Sequence, residues 1–289
     1  SSMTNRDSFG DLPAGYEAGY VDSLSNRSHS RSNGHDLNVG FNYSDDTWMF
    51  NASLGVTPQK RTIDRKVGKL YADTTMRTID YQPMIWLSWR KKKMRVSLNY
   101  NGRTRQPSLS DLMPLTDNSD PLYITRGNPD LKQMFMHTMH VSFQHPSKGI
   151  SANLGWQMEK NSVTQVVLYD VQTGGRETYP ININGNWNTY GSADWWKRFG
   201  HFSLKLSTSG RHSNRVSMIN EDRSQQPEKS TTRDTGLNCE MEASYQPTWG
   251  GFDFSTSWDY QYSLNSLNGN NTYTRYYNCL LYTSPSPRD

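Results

Sequence analysis

The chain has 289 residues and a formal net charge of +4, with only 33% of its residues in the hydrophobic set and yet 12% aromatic, nine Trp and seventeen Tyr among them. Its mean hydropathy is -0.87. A disordered chain is poor in aromatics, and a helical membrane protein carries runs of about eighteen or more apolar residues, which this sequence lacks. Lys and Arg are scattered among acidic residues instead of forming one stripe, so nucleic acid is not an expected partner.

The totals favour a sheet in which only alternate residues need be apolar, as in a β-barrel with a polar interior. The densest basic run, Arg90-Lys91-Lys92-Lys93, reads as a solvated turn between strands. Cys239 and Cys279 supply neither a disulfide framework nor a metal spacing, which leaves the redox compartment open.

Taken in chain order, the elements are strands with two unlike faces. Leu37, Val39, Phe41 and Tyr43 come first, then Trp48, Phe50, Ala52, Leu54 and Val56, each set alternating with more polar residues. The region 72–89 reads as a strand longer than a membrane requires. Met94, Val96, Leu98 and Tyr100 then alternate with Arg95, Ser97, Asn99 and Asn101, a complete apolar face opposite a complete polar one. Ile150, Ala152, Leu154, Trp156 and Met158 follow, with a second over-long strand expected at 177–196. Phe202, Leu204 and Leu206 precede Leu237, Cys239, Met241, Ala243 and Tyr245. The last set is Phe252, Phe254, Thr256, Trp258, Tyr260 and Tyr262.

Short connections at Asp45-Asp46, 90–93, 146–149, 197–200 and 247–251 alternate with longer polar ones near 58–72, 103–133, 171–177, 212–231 and 264–271. That rhythm is an up-and-down meander with tight turns at one end. A strand of about ten residues rises roughly 33 Å and, tilted about 45°, covers roughly 23 Å, close to the apolar band of an outer-membrane barrel. Trp48, Trp89, Trp195, Trp196, Trp249 and Phe252 lie near the short turns, as a periplasmic aromatic girdle would. The expected fold is therefore all-β: a fragment of a transmembrane antiparallel up-and-down β-barrel of about 11–12 strands, with short periplasmic turns and long extracellular loops.

No residue is assigned to catalysis, cofactor binding or metal binding, and no cofactor is expected. His137 and His140 face opposite sides of one strand and His145 brings no acidic or thiol companion, so the three do not converge on an ion. Asp117-Asn118-Ser119-Asp120 has Leu122 and Asn128 where a calcium loop needs Gly and Glu. No nucleophile elbow, P-loop or dinucleotide fingerprint occurs, and Gly174-Gly175 reads as loop. Sugar stacking on exposed Trp rows is disfavoured because most rings share a face with Leu, Val and Phe.

The segment from Tyr100 to Lys132 is the most specific. It contains Thr104-Arg105-Gln106-Pro107-Ser108, Asp120-Pro121-Leu122 and Gly127-Asn128-Pro129-Asp130-Leu131-Lys132. It resembles the barrel of TonB-dependent receptors, in the branch named outer-membrane β-barrel family proteins. That pattern runs Thr-Arg-x-Pro-Ser, Asn-Pro-Leu and Gly-Asn-Pro-x-Leu-Lys. Two departures from it are visible: Asp120 stands for Asn, and Gln133-Met134 stand for Pro-Glu. Pro107, Pro114, Pro121 and Pro129 forbid regular ladder pairing, so the segment is expected to be irregular, either bracing the barrel or touching substrate.

The resemblance implies a barrel of about 22 strands around a plug, in the outer membrane of a Gram-negative bacterium. Residues 1–278 would be part of such a barrel, without plug or closing strand. Residues 279–289 read as an adapter-derived, non-native tail, and a secretion signal is expected upstream of Ser1-Ser2-Met3. The implied function is TonB-dependent uptake of a large or scarce solute, an iron chelate, glycan or peptide, through substrate-binding residues that the sequence leaves unknown. The implied partners are outer-membrane lipid, the TonB complex through the missing plug, and the solute; a surface lipoprotein fits as well. Two alternatives stand beside this: a passive porin or adhesin-like barrel, and a secreted carbohydrate-binding β protein.

Overall fold

A computed structural model describes residues 2–6, 9–10, 19–20, 26–67, 70–113, 116–117, 120, 122–170, 172–220, 227–248, 250–265 and 271–285. Trp249, Pro114, Leu115, Asn118, Ser119 and Pro121 lie outside them.

In chain order the strands are β1 (Ser2–Arg6), β2 (Phe9–Gly10), β3 (Gly19–Tyr20), β4 (Asn26–Gly34), β5 (Leu37–Ser44), β6 (Trp48–Val67), β7 (Leu70–Lys91), β8 (Met94–Arg105), β9 (Thr116–Asp117) and β10 (Tyr123–Arg126). They continue with β11 (Met134–His145), β12 (Ile150–Lys160), β13 (Ser162–Tyr169), β14 (Arg176–Ile183), β15 (Trp187–Phe199), β16 (Phe202–Ile219), β17 (Glu228–Tyr245), β18 (Gly250–Asn265) and β19 (Asn271–Pro285). One helical turn, α1 (Leu109–Leu112), follows β8.

Thirteen strands form one sheet in the order β1-β4-β6-β7-β8-β11-β12-β15-β16-β17-β18-β19, with β5 also on β6. β4 and β5 share the edge of β6, so they act as one strand broken at His35-Asp36. Neighbours along the path are antiparallel, and its departures from chain order arise where β2–β3, β9–β10 and β13–β14 are set aside. Among the described residues β1 and β19 are the two edges of this sheet.

Register makes the two faces explicit, because direct cross-strand partners point to the same side. Leu87, Leu98, Val141, Leu154, Gly191, Gly210, Leu237 and Tyr260 form one continuous row of partners, all on the apolar face. The next row, Ser88, Ser97, Ser142, Asn153 and Ser192, is wholly polar. Among the described residues the apolar face is left uncovered: Val39 is 77% exposed, Trp258 60% and Leu237 51%. Water does not tolerate an uncovered apolar surface of that extent, whereas the acyl region of a bilayer requires it.

The core sits at one end. Ile63, Leu109, Leu112, Met113 and Leu131 form a buried cluster, with Met76 and Val163 packed on it, where the long connections fold together. At the other end the turns are tight. Asp45 accepts from the backbone N–H groups of Trp48 and Thr47 at 2.6 and 2.7 Å and from the Tyr43 hydroxyl at 2.7 Å. These bonds, that from Trp48 foremost, hold its carboxyl below the usual carboxylate range.

Several expected loops are strand. β6 and β7 run as a paired arm as far as Val67 and Leu70, so most of 58–72 is hairpin. Likewise β16 and β17 pair out to Ile219 and Glu228, and β18 and β19 take up the ends of 264–271. Beyond the membrane both faces of such an arm can be wet, so Thr-rich polar strands lose the alternation that marks a strand in sequence. The expected single strand at 177–196 is in fact two, β14 and β15, in different sheets. The break falls at Gly185, whose φ of 120° suits glycine alone.

Candidate functional site

Two long connections leave the main sheet at its long-loop end and fold onto one another. Residues 106–133 carry α1, β9 and β10; residues 161–186 carry β13 and β14. Together they make a second sheet in the order β13-β14-β10-β9, in which β10 lies parallel to β14.

The specific sequence steps account for this cap locally. Thr104 is 5% exposed, and its hydroxyl accepts from Tyr81 N–H at 2.9 Å and donates to Tyr81 C=O at 3.2 Å. Ser108 caps α1 by accepting from Asp111 N–H at 3.1 Å. Arg61, on the polar face of β6, donates to Pro107 C=O at 3.1 Å, which fixes the cap over the polar face. Gln59 donates to Asp80 at 2.6 Å, and Gln106 donates to the same carboxylate. Asp120 accepts from Leu122 N–H at 2.9 Å, the turn-forming bond that Asn would make in its place.

Gly127 lies so close to Met113 that a Cβ would collide with the Met113 carbonyl oxygen. Asn128 donates to Pro180 C=O at 3.0 Å. Asn182 accepts from Lys132 N–H at 2.7 Å and donates to the carbonyls of Lys132 and Asn161, both at 2.9 Å. The polar groups of the Gly-Asn-Pro step are thus engaged with the neighbouring connection, which is the work of a brace. Arg126 and Arg176 lie over the rings of Tyr179 and Tyr123 at 4.9 and 4.7 Å, and Arg126 pairs with Glu177 at 2.9 Å.

Below the cap, the clefts of the polar face include two that hold four charged side chains each. The first, about 420 Å³, is lined by Gln157, Glu159, Asn186, Asn188, Arg211 and Arg215, with Ser213 and Asp234 between them. Gln157, Asn188, Ser213, Asp234 and Ser263 are successive cross-strand partners, one polar row across β12, β15, β16, β17 and β18. The second cleft, about 400 Å³, lies nearer the short turns and holds Trp196, Lys205, Glu240, Glu242 and Asp253. There Lys205 pairs with Glu242 at 2.9 Å.

The aromatic girdle needs one correction. Trp48, Trp89, Trp195 and Phe252 share the apolar face near the short turns, and the rings of Trp48 and Trp89 lie 6.3 Å apart. Trp196 is on the polar face opposite Lys205, because adjacent residues of a strand point to opposite sides. A second girdle lies toward the long-loop end. Tyr81, Trp187 and Tyr260 stand eight positions from Trp89, Trp195 and Phe252 on the same strands and face, and Tyr100, Phe135, His137 and Trp156 cluster at the same end. Eight residues rise about 27 Å, and a tilt of about 40° reduces that to roughly 20 Å, the scale of the apolar band of a barrel. The signal was present in the sequence as an eight-residue interval between aromatics of equal parity.

His137 belongs to this girdle, whereas His140 faces the polar side. Among the described residues no group of three or more His, Cys, Asp or Glu side chains could hold a metal ion.

No curated protein matches the chain. Among solved structures it is similar to the siderophore receptor PirA from Pseudomonas aeruginosa, at 11% sequence identity and a TM-score of 0.40. That likeness covers 90% of this chain and 57% of the receptor, so the chain spans little over half of that protein's length. The family model described as the outer membrane protein beta-barrel family matches residues 69–282, most of the sheet and the whole cap, and the chain belongs to that family.

Proposed function

We propose that this chain is barrel wall and loop cap of an outer-membrane receptor that imports a large or scarce solute, an iron chelate, glycan or peptide, with energy delivered through TonB. The observation that carries the reading is the brace. Thr104, Ser108, Gly127 and Asn128, the residues on which the resemblance to TonB-dependent receptors rests, hold a folded cap at the long-loop end of a polar wall. A wall so built favours selective capture over free diffusion, because a cap and polar clefts line the face along which a solute would pass.

In this reading the chain has no catalytic centre. Its partners are outer-membrane lipid on the apolar face, a plug that contacts TonB, the solute, and a surface lipoprotein. We read residues 1–278 as the receptor's own and 279–289 as an adapter-derived tail, with the family match running four residues into it. That tail continues β19 as far as Pro285 because ladder hydrogen bonds are made by backbone and accept almost any side chain.

The test is energy coupling. Cells making the intact protein should accumulate its solute only when TonB is present. Equal accumulation with and without TonB contradicts the reading and makes the barrel a passive pore.

A further inference from the structure

We propose that Arg211 and Arg215, with Gln157, Asn188 and Ser213 between and beside them, form a recognition site for a hydroxycarboxylate solute on the polar wall. The inference deepens the uptake reading by naming the chemistry of the solute, and it concerns equilibrium binding, which needs no TonB.

The site is built by register. Arg211 and Arg215 stand two positions to either side of Ser213 on β16, all on the polar face. Their Cα atoms are separated by about 14 Å at roughly 3.4 Å per residue, so the two guanidinia bracket the row of Gln157, Asn188 and Ser213.

The acids of the cleft are engaged elsewhere. Asp234 accepts from Ser263 at 2.6 Å, and Glu159 accepts from Ser162 at 2.8 Å. Among the described residues neither Arg211 nor Arg215 is ion-paired with a carboxylate, although Lys205 and Arg126 each have one. Asn188 Oδ1 is buried at the cleft with no hydrogen-bond donor among the described residues.

Each feature selects a chemical group. A guanidinium presents a planar fork of N–H donors that matches a carboxylate in two parallel hydrogen bonds. Amide and hydroxyl side chains both donate and accept, as sugar-type hydroxyls do, and the orphaned Asn188 oxygen calls for a donor. Glu159 and Asp234 offset the two arginines, so the cleft as a whole is close to neutral. That balance disfavours a dense polyanion such as phosphate and favours isolated carboxylates set among hydroxyls. Two sources share this chemistry, an oligosaccharide of uronic acids and an iron chelate of a hydroxycarboxylic acid.

Binding of trigalacturonate and of iron(III) citrate to the intact protein in detergent, checked for folding by heat-modifiable mobility, tests the site. At least one should bind more tightly than maltotriose and inorganic phosphate. Trigalacturonate alone identifies the glycan source, and iron(III) citrate alone the chelate. R211Q/R215Q should weaken the bound probe roughly tenfold or more and flatten its salt dependence. R211K/R215K, which keeps charge but loses the fork, should fall between. Arg95→Gln, on the polar face of β8 and away from the cleft, should bind as the wild type does.

Absence of binding by both carboxylated probes, or full affinity in folded R211Q/R215Q, overturns the proposal. Either result leaves TonB-dependent uptake of another solute intact, whereas TonB-independent uptake with normal probe binding sinks the transport reading alone.

Discussion

Thr104 shows what a short sequence step does in this wall. Its hydroxyl satisfies both backbone groups of Tyr81, a residue 23 positions earlier, at a site 5% exposed. Thr104→Val keeps the shape and removes both bonds, which should cost about 1–3 kcal/mol locally. In the intact folded protein, amide exchange at Tyr81 should accelerate about fivefold or more, the rate change such a loss produces at its lower end; an unchanged rate would remove Thr104 from the brace. The step itself was legible as a motif, but its purpose was not, because no local signal tells residue 104 that its partner is Tyr81. The same holds for Asn128 and Asn182, whose partners lie on connections far apart in sequence. Asp120 is the opposite case. Its departure from Asn could be judged in advance as harmless, since either side chain offers the oxygen that Leu122 N–H requires.

Strands were legible wherever one face met lipid. Period-two alternation located β5, β8, β12 and β18 and placed Leu98 and Asn99 on opposite faces. Leu98→Arg should therefore destabilise the barrel by about 2–4 kcal/mol, the cost of a cation facing the bilayer middle, while Asn99→Arg should be tolerated in the polar interior. Urea midpoints of the two variants of the intact protein check this, and equal midpoints would mean that the faces are assigned wrongly. Legibility failed where lipid no longer imposed the rule. The arm of β6 and β7, the ends of β16 and β17 and the break at Gly185 lie in water or against the cap, where alternation carries no energy. Trp196 was misplaced for a simpler reason. Proximity to a turn does not set the face of a residue, and Trp195 and Trp196, adjacent on one strand, cannot share one.

At the scale of the molecule, the sheet presents two unpaired edges, β1 and β19, among the described residues, with an apolar face on one side throughout. Expressed alone, residues 1–278 should aggregate and give no heat-modifiable band, because open edges and an uncovered apolar face favour association. A monodisperse, soluble, folded monomer would contradict a partial barrel. The same geometry explains why so little of the solute site was readable in sequence. Arg211, Asn188 and Gln157 come from three strands and meet only once the register is set. Sequencing the source DNA outward from the codon for residue 1 tests the central claim most directly. The account predicts a secretion signal followed by a plug domain before the first strand; a secretion signal leading straight into barrel strands would contradict it, since a barrel without a plug has nothing for TonB to pull.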